Sequence, residues 1–586
     1  MEKTREFFLK CSENIVYILF ASIILYLFLI SLFTTCTMAY TDEHIFFVKD
    51  YPQLLMPGLL FLLFVLFRLK VYADRKLRKR TDGGLPEEWC DRMLAGVTIV
   101  WFAALLWWIW RAPALPTADQ ASVFLRAKDF VAGDYTYWQP GEYMDVYPYQ
   151  NAMVLFFAAF HFLFGGGALL AIKLFNLICW YAGILAVCRL TGRYFGRRTA
   201  AGTYLALLWF FPAWSYVTFI YGTIPGLCFA VWGVLQEKKF EETGKNRHLI
   251  LTGVLLLLAV LWKSNYIIFV IAVCIMLLVH AVREGQIKPL WGVLWTAGLY
   301  LAGTHGVSAF VEAVTGGDAG RGILFIGSIV DGLQESVRAP GWYNGYAEIL
   351  YSKHRDDTAL MKILAAEDLR STVSVFAQQP DYALRFFARK TASMWSFPLL
   401  ECNTLITKGH DRFYATGIFE NILYDGQPLN VLLLLWLDVL QSILYFGIVL
   451  YLIFDRKKAD LKKAGLIICF LGGFLFYLFW EAKCQYIFPY YLLLFPYGIE
   501  GFRAALQRFA EIREEREEKG QAGKKGYLKM LGQDRGVKCL LALVLLIVLI
   551  GVIPGNFMDS AFKFGTDTVD YRWFCNNSEI NYTIGG

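Results

Sequence analysis

The feature that most constrains this chain is its series of long apolar runs. Ile15–Phe33, Leu54–Phe67, Val97–Trp110, Leu249–Trp262, Val431–Phe454 and Leu540–Ile553 are the clearest. A helix rises about 1.5 Å per residue and a bilayer's hydrocarbon core is about 30 Å thick, so a crossing takes about 20 mostly apolar residues. Within hydrocarbon the backbone must satisfy its own polar groups, which a helix does inside one segment. Roughly 14 stretches, some of them short, qualify as candidates. The chain is 57% hydrophobic and 18% charged, against about 45–50% and about 25% in soluble domains. These runs predict an all-α polytopic membrane protein, not a soluble domain with an anchor.

Charge orients the runs, because cytoplasmic loops are rich in Lys and Arg. Lys3, Arg5 and Lys10 put the N-terminus in the cytoplasm, and the tail after Asn556 then falls outside. The first run is too long for the core of a cleaved signal and lacks a small-residue cleavage site, so it reads as a retained helix. The net charge of +7 sits in short loops such as 75–80 and 455–458. That is a topological pattern, without the basic face interleaved with aromatics that a nucleic-acid surface needs. Opposite sides for the two ends require an odd number of crossings. We expect about 13, with at least one partial helix in the broken stretch Tyr149–Lys238.

The chain divides accordingly. Residues 1–92 hold two transmembrane helices and a basic cytoplasmic loop, and 93–312 hold a transmembrane core whose outer loop spans 112–149. Residues 313–428 form an extracytoplasmic region and 429–501 further transmembrane helices. Residues 502–538 are a charged cytoplasmic segment, and 539–586 carry a last helix and an outer tail.

The loop 112–149 is the most informative stretch. Val123, Phe124, Ala127, Phe130 and Val131 share one helical face, with Arg126, Lys128 and Asp129 on the rest. That pattern suits a helix lying in the membrane interface. Asp119 precedes it, where an Asp would serve as an N-cap. The same position would also present a carboxylate to take a proton from an incoming acceptor. Tyr147-Pro148-Tyr149-Gln150 then opens the next span.

The order of these features resembles the GT-C superfamily of integral membrane glycosyltransferases. It is similar to the branch of protein O-mannosyltransferases and the lipid A aminoarabinose transferase. Further islands resemble Gram-positive bacterial homologues: Trp262-Lys263-Ser264-Asn265-Tyr266, Pro340-Gly341-Trp342-Tyr343-Asn344, Pro380-Asp381-Tyr382-Ala383 and Trp480-Glu481-Ala482-Lys483-Cys484-Gln485-Tyr486. The resemblance implies interfacial helices and a largely helical extracytoplasmic region. It also implies hexosyl transfer from a polyprenyl-phosphate donor on the outer face of the plasma membrane. The acceptor would be a glycan, lipid or protein of the cell envelope.

Asp119 would then be the general base, with Gln120, Tyr147, Tyr149, Gln150 and Tyr486 around the substrate. Lys263 and Lys483 would meet the donor phosphate, with Glu481 orienting it. An ionisable group costs about 2.5–3.5 kcal/mol at membrane depth, so a lysine there calls for an anion. Trp342, Tyr343 and Asn344 are sugar-binding candidates, and Arg321 belongs to a Gly-rich loop that would close over substrate. Arg338, Arg385, Arg389 and Lys390 read as solvated surface charges. Two helices precede the one that should be the family's first, which makes Asp42 and Glu43 a rival acidic pair. The chain has no phosphate loop, no HExxH and no Asp-x-Asp, which favours a lipid-linked donor over a nucleotide one and leaves a divalent metal open. The alternative is a transporter or lipid-linked saccharide flippase, which also needs broken helices and intramembrane charges.

Overall fold

The computed structural model describes residues 2–38, 43–80, 87–112, 114–318, 322–407, 417–424, 426–455, 460–518, 531–553 and 555–562. Helix α1 (Glu2–Phe33) runs directly into β1 (Thr34–Met38), which pairs antiparallel with β2 (Ile45–Lys49). The β-branched and aromatic residues of Thr34-Thr35-Cys36-Thr37-Met38 and Ile45-Phe46-Phe47-Val48-Lys49 favour this short ribbon. Helices α2 (Pro52–Arg80) and α3 (Glu87–Arg111) follow. The loop 112–149 then folds as α4 (Ala118–Ala132) and the single turn α5 (Tyr143–Val146).

The next stretch is α6 (Asn151–Phe164), α7 (Ala168–Phe195), α8 (Arg197–Leu208), α9 (Pro212–Thr218), α10 (Thr223–Thr243), α11 (Asn246–Trp262), α12 (Ile267–Glu284) and α13 (Lys288–Thr315). The described residues of 313–428 then form α14 (Phe325–Leu333), α15 (Tyr346–His354), α16 (Thr358–Gln378), α17 (Pro380–Trp395), α18 (Thr404–Thr407) and α19 (Ile418–Leu423). The chain continues through α20 (Pro428–Phe454), α21 (Gly465–Phe479), α22 (Cys484–Leu492), α23 (Phe495–Glu518), α24 (Arg535–Val552) and α25 (Phe557–Phe562). The all-α architecture expected from the apolar runs is the one found, with a single two-stranded ribbon among the described residues.

Seven helices among the described residues are long and apolar enough to cross a membrane, or eight if a bent pair counts as one span. The expected count of about 13 is not confirmed, because several apolar helices fall below the length a crossing needs. Helices α11 and α21 are 17 and 15 residues long. The break expected between Tyr149 and Lys238 is present, where α9 and α10 meet at 108°. Asn176 of α7 satisfies backbone carbonyls freed there, donating to Val217 O (3.1 Å) and Phe219 O (3.3 Å). Non-helical backbone is tolerated at membrane depth when protein groups satisfy it in this way.

Two contacts fix the frame around the site. Helices α20 and α23 pack backbone to backbone: a Cβ added at Gly501 would lie 1.8 Å from the Gly447 carbonyl oxygen, the close approach that small residues allow between membrane helices. Tyr216 of α9 stacks on Phe488 of α22 with ring centroids 3.8 Å apart. Such a pair adds about 0.5–1.5 kcal/mol beyond its buried area, and it locks the broken helix to the element that follows Lys483.

Candidate active site

Asp119 lies in the first turn of α4, not at its cap. The N-cap is Thr117, and Asp119 makes no cap hydrogen bond, so the capping role expected for it is not found. Its carboxylate turns to two phenols instead. The Tyr143 hydroxyl lies 3.2 Å from Oδ1 and the Tyr221 hydroxyl 3.4 Å from Oδ2. Gln150 joins the two: its Oε1 is 3.0 Å from the Tyr143 hydroxyl, and its Nε2 donates to the Tyr221 oxygen over 3.0 Å. A phenol carries one proton. Tyr221 therefore accepts from Gln150 and donates to Asp119, while Tyr143 shares its proton between Asp119 and Gln150. Gln120, next in the chain, accepts from Ile220 N (3.3 Å), which ties α4 to the α9–α10 break beside Tyr221.

Asp119 opens onto a cleft of about 410 Å³ whose wall includes Glu43, Gln120, Tyr221, Glu401, Lys483 and Gln485. Lys483 donates to Glu43 Oε1 over 3.2 Å, and Arg338 Nη1 lies 3.0 Å from Glu43 Oε2. Glu401 Oε1 accepts from the Cys484 and Gln485 amides at 2.7 and 3.4 Å. It thereby serves the open donors at the start of α22, where the helix dipole also favours an anion. Burial opposes the charge on Lys483, but Glu43, then Glu401 and Glu481, hold its ammonium well above the ordinary range.

A second, smaller cavity of about 210 Å³ adjoins it, lined by Thr223, Lys263, Asn265, Tyr477, Gln485 and Tyr486. Lys263 donates to Thr223 Oγ1 (3.1 Å) and sits 4.7 and 5.6 Å from the ring centroids of Tyr221 and Tyr486. Gln485 borders both cavities, and its Oε1 is buried with no hydrogen-bond partner among the described residues. A buried carbonyl oxygen left without a donor costs about 1–3 kcal/mol. Here it faces space that a substrate hydroxyl or amide can fill.

Backbone strain gathers at the same place. Among the described residues, four that are not glycine have positive φ: Glu43 (+59°), Ala118 (+47°), Leu400 (+48°) and Glu401 (+62°). Three of them line the larger cleft, and Leu400 directly precedes Glu401. Each costs on the order of 1–3 kcal/mol, and such residues cluster at working sites.

Other expected site residues lie nearby in different roles. Trp342 is fully buried, with its Nε1 donating to Ser393 Oγ (2.8 Å). The neighbouring Gly341 carbonyl accepts from Ala482 N (2.7 Å). Trp342 therefore presents no open face to a sugar, and its segment instead pins the backbone just before Lys483. Lys390 is not a surface charge: it is buried and donates to the Gly332 and Trp480 carbonyls. Asn344 shapes its own turn, accepting from Tyr346 N (2.9 Å) and donating to Gln334. Tyr147 and Tyr343 both donate to Glu348, whose carboxyl is pushed up to about 7 by burial and by the charge of Asp119. Burial pushes Glu481 up to about 8 against the pull of Lys483. Tyr149 is half-exposed, its ring 6.0 Å from that of Tyr147. Arg321 and Asp42 lie outside the described residues. Among the described residues no three His, Cys, Asp or Glu side chains gather as metal ligands.

Asp42-Glu43 was set against Asp119 as a rival. The structure makes Glu43 a wall of the same cleft. Sequence reasoning missed Tyr143, Tyr221, Arg338, Glu348, Glu401 and Gln485. Tyr143 and Tyr221 stood within segments already singled out, but Glu401 carries no local pattern at all.

Comparison with known proteins places part of this geometry. Residues 150–308 match the family model for dolichyl-phosphate-mannose-protein mannosyltransferase. The resemblance to the GT-C glycosyltransferases holds. The matched segment is just over a quarter of the chain and contains Gln150, Tyr221 and Lys263. It supports a membrane glycosyltransferase of the GT-C type. Among solved structures, the apo oligosaccharyltransferase of Archaeoglobus fulgidus aligns at 14% identity with a TM-score of 0.35, over 79% of this chain. The chain spans about half of that protein, 54% of its length. No curated protein matches the chain.

Proposed function

We propose that this GT-C-type protein moves a hexosyl group from a polyprenyl-phosphate donor to a cell-envelope acceptor on the outer face of the plasma membrane. In this reading the N-terminus is cytoplasmic, the C-terminal tail is extracytoplasmic, and both cavities open to the outer leaflet. The acceptor is a glycan, lipid or protein bearing a nucleophilic hydroxyl or amine.

One observation carries the reading. A carboxylate, Asp119, and two lysines, Lys483 and Lys263, line two adjoining cavities that share Gln485. Asp119 takes the proton of the acceptor hydroxyl as that oxygen bonds to the anomeric carbon, which requires approach to about 3 Å. The bond between the anomeric carbon and the phosphate oxygen breaks, and its electron pair stays on the phosphate. Lys483 and Lys263 meet the charge that develops there. The two phenols on Asp119 fix its direction without blocking the cleft. Attack opposite the leaving phosphate inverts the anomeric centre.

The test is label transfer by detergent-purified protein from radiolabelled polyprenyl-phosphate sugars to a crude envelope fraction, with wild type beside Asp119→Asn. Transfer by wild type that Asp119→Asn abolishes, at unchanged folding, supports the reading. Equal transfer by both moves the base elsewhere, with Glu43 next. No transfer from any donor, combined with movement of a labelled lipid-linked sugar across vesicles, favours the flippase alternative, to which the 108° helix break is equally suited.

A further inference from the structure

Glu43 comes from the ribbon that precedes the matched segment, and its position is not explained by holding that ribbon in place. Backbone bonds already do so. Cys36 N donates to Ser396 O (2.7 Å) and Ile45 N to Arg338 O (3.0 Å), and Ser396 Oγ donates to Thr34 O (2.6 Å). The Glu43 side chain instead crosses to the cleft wall. There its two oxygens meet Lys483 (3.2 Å) and Arg338 (3.0 Å), one each.

A lysine and an arginine converging on two oxygens of one anion is how proteins hold phosphate as well as carboxylate. The contact lies on the same cleft as Asp119, so a ligand in that cleft competes with it directly. The other carboxylates of the wall are engaged elsewhere: Asp119 with Tyr143 and Tyr221, and Glu401 with the start of α22. Glu43 also adopts a left-handed backbone (φ +59°). Glu401 shares that conformation (φ +62°) but is held by two backbone amides, whereas Glu43 is held by side chains that a ligand phosphate can take over.

We propose that Arg338 and Lys483 form a phosphate-binding site, and that Glu43 occupies it as an internal stand-in until the phosphate of a prenyl lipid, the donor diester or the monoester it leaves, displaces it. This rests on reading the cleft as the donor site. It adds Arg338 as a phosphate ligand and makes the N-terminal ribbon part of the donor site's specificity. A neutral sugar lipid lacks the charge to dislodge Glu43; the donor phosphodiester matches its single charge, and the prenyl phosphate monoester left after transfer, as a dianion, exceeds it.

The experiment measures binding of a soluble short-chain prenyl phosphate to the full chain in detergent, with inorganic phosphate run in parallel. Wild type is compared with Glu43→Gln, Lys483→Gln and Arg338→Gln, and thermal melting confirms that each variant folds. The stand-in reading expects Glu43→Gln to bind about tenfold more tightly, and Lys483→Gln and Arg338→Gln to bind at least about tenfold more weakly, in line with the coupling of close charge pairs. Weakening by both cation variants without tightening by Glu43→Gln overturns the stand-in and leaves the donor site intact. Indifference to both cation variants removes the donor-phosphate reading of this cleft and the stand-in with it. Inorganic phosphate bound as tightly as the prenyl phosphate assigns the site to free phosphate, not a lipid headgroup, and overturns the link to the donor.

Discussion

Tyr221 donates its hydroxyl proton to Asp119 Oδ2 across 3.4 Å while accepting one from Gln150, so the direction of the proposed base is set by a residue at the break between two helices. Hydrogen bonds to a charged group are worth about 1.5–3 kcal/mol, and a misdirected base loses rate without losing substrate. Tyr221→Phe and Tyr143→Phe should each lower kcat about tenfold and leave the donor KM within about twofold. Asp119→Asn should lower kcat by about 10²–10⁴. Steady-state kinetics on the three variants check this, and a rise in KM with kcat unchanged would assign the phenols to substrate binding.

Gln485 makes a different prediction. Its unpartnered Oε1 borders both cavities, the position the donor sugar would occupy in the proposed reaction. Gln485→Leu keeps the volume and removes the polar atoms. Affinity for a prenyl-phosphate sugar should fall about tenfold, while affinity for the sugarless prenyl phosphate stays the same. Equal losses for both ligands would mean that Gln485 supports the cavity wall and does not read the sugar.

Much of this was legible in the sequence, and the rest was hidden for identifiable reasons. The apolar runs and the amphipathic stretch after Asp119 follow from periodicity alone, and α4 buries Val123 and Ala127 as that pattern requires. The Tyr221-Gly222 interruption marked a break because it punctuates an apolar run. Periodicity counts candidates but does not fix how many helices are long enough to cross. Glu401 was invisible because its role depends on two consecutive left-handed residues and on a helix start 83 positions away. Trp342 and Lys390 were misjudged for one shared reason: composition says aromatic and charged, and only packing says buried. The two helices that precede α3 make Glu43 a rival to Asp119 in the sequence, and only the fold shows that both face one cleft.

Glu348 gives the fold a pH dependence with a definite sign. Burial and the Asp119 charge raise its carboxyl to about 7 from the ordinary 4.5. A group whose pKa is higher in the folded state contributes stability that is fully present below the unfolded pKa and lost as pH rises through the folded one. Thermal stability of the wild type should therefore fall as pH climbs from about 4.5 to about 7. Glu348→Gln, whose amide oxygen accepts from one of the two phenols while its NH2 donates to the other, should flatten that decline. An unchanged slope in the variant would place the pH sensitivity on another group, with Glu481, pushed up to about 8, the first to test.

A structural constraint that bears on the site sits at Gly222, the residue that opens α10. Its φ of +71° is left-handed, and a Cβ there would lie 2.2 Å from the Trp262 carbonyl oxygen and 3.2 Å from the Met153 sulfur. The obstructing atom is backbone and cannot swing aside. It also belongs to the residue before Lys263, so any relief moves that lysine relative to Tyr221 and Thr223. Overpacking of this kind costs about 1–3 kcal/mol and a left-handed alanine adds about 1 more. Gly222→Ala should lower the melting temperature and, in whatever fraction folds, weaken binding of a prenyl phosphate. Gly244→Ala is the control: it is equally left-handed at the end of the same helix (φ +65°), with nothing within 4 Å of an added Cβ. It should lose only the strain component of stability and keep wild-type binding. Matching losses of binding in both variants would trace the effect to general destabilisation and remove the tie between the helix break and Lys263.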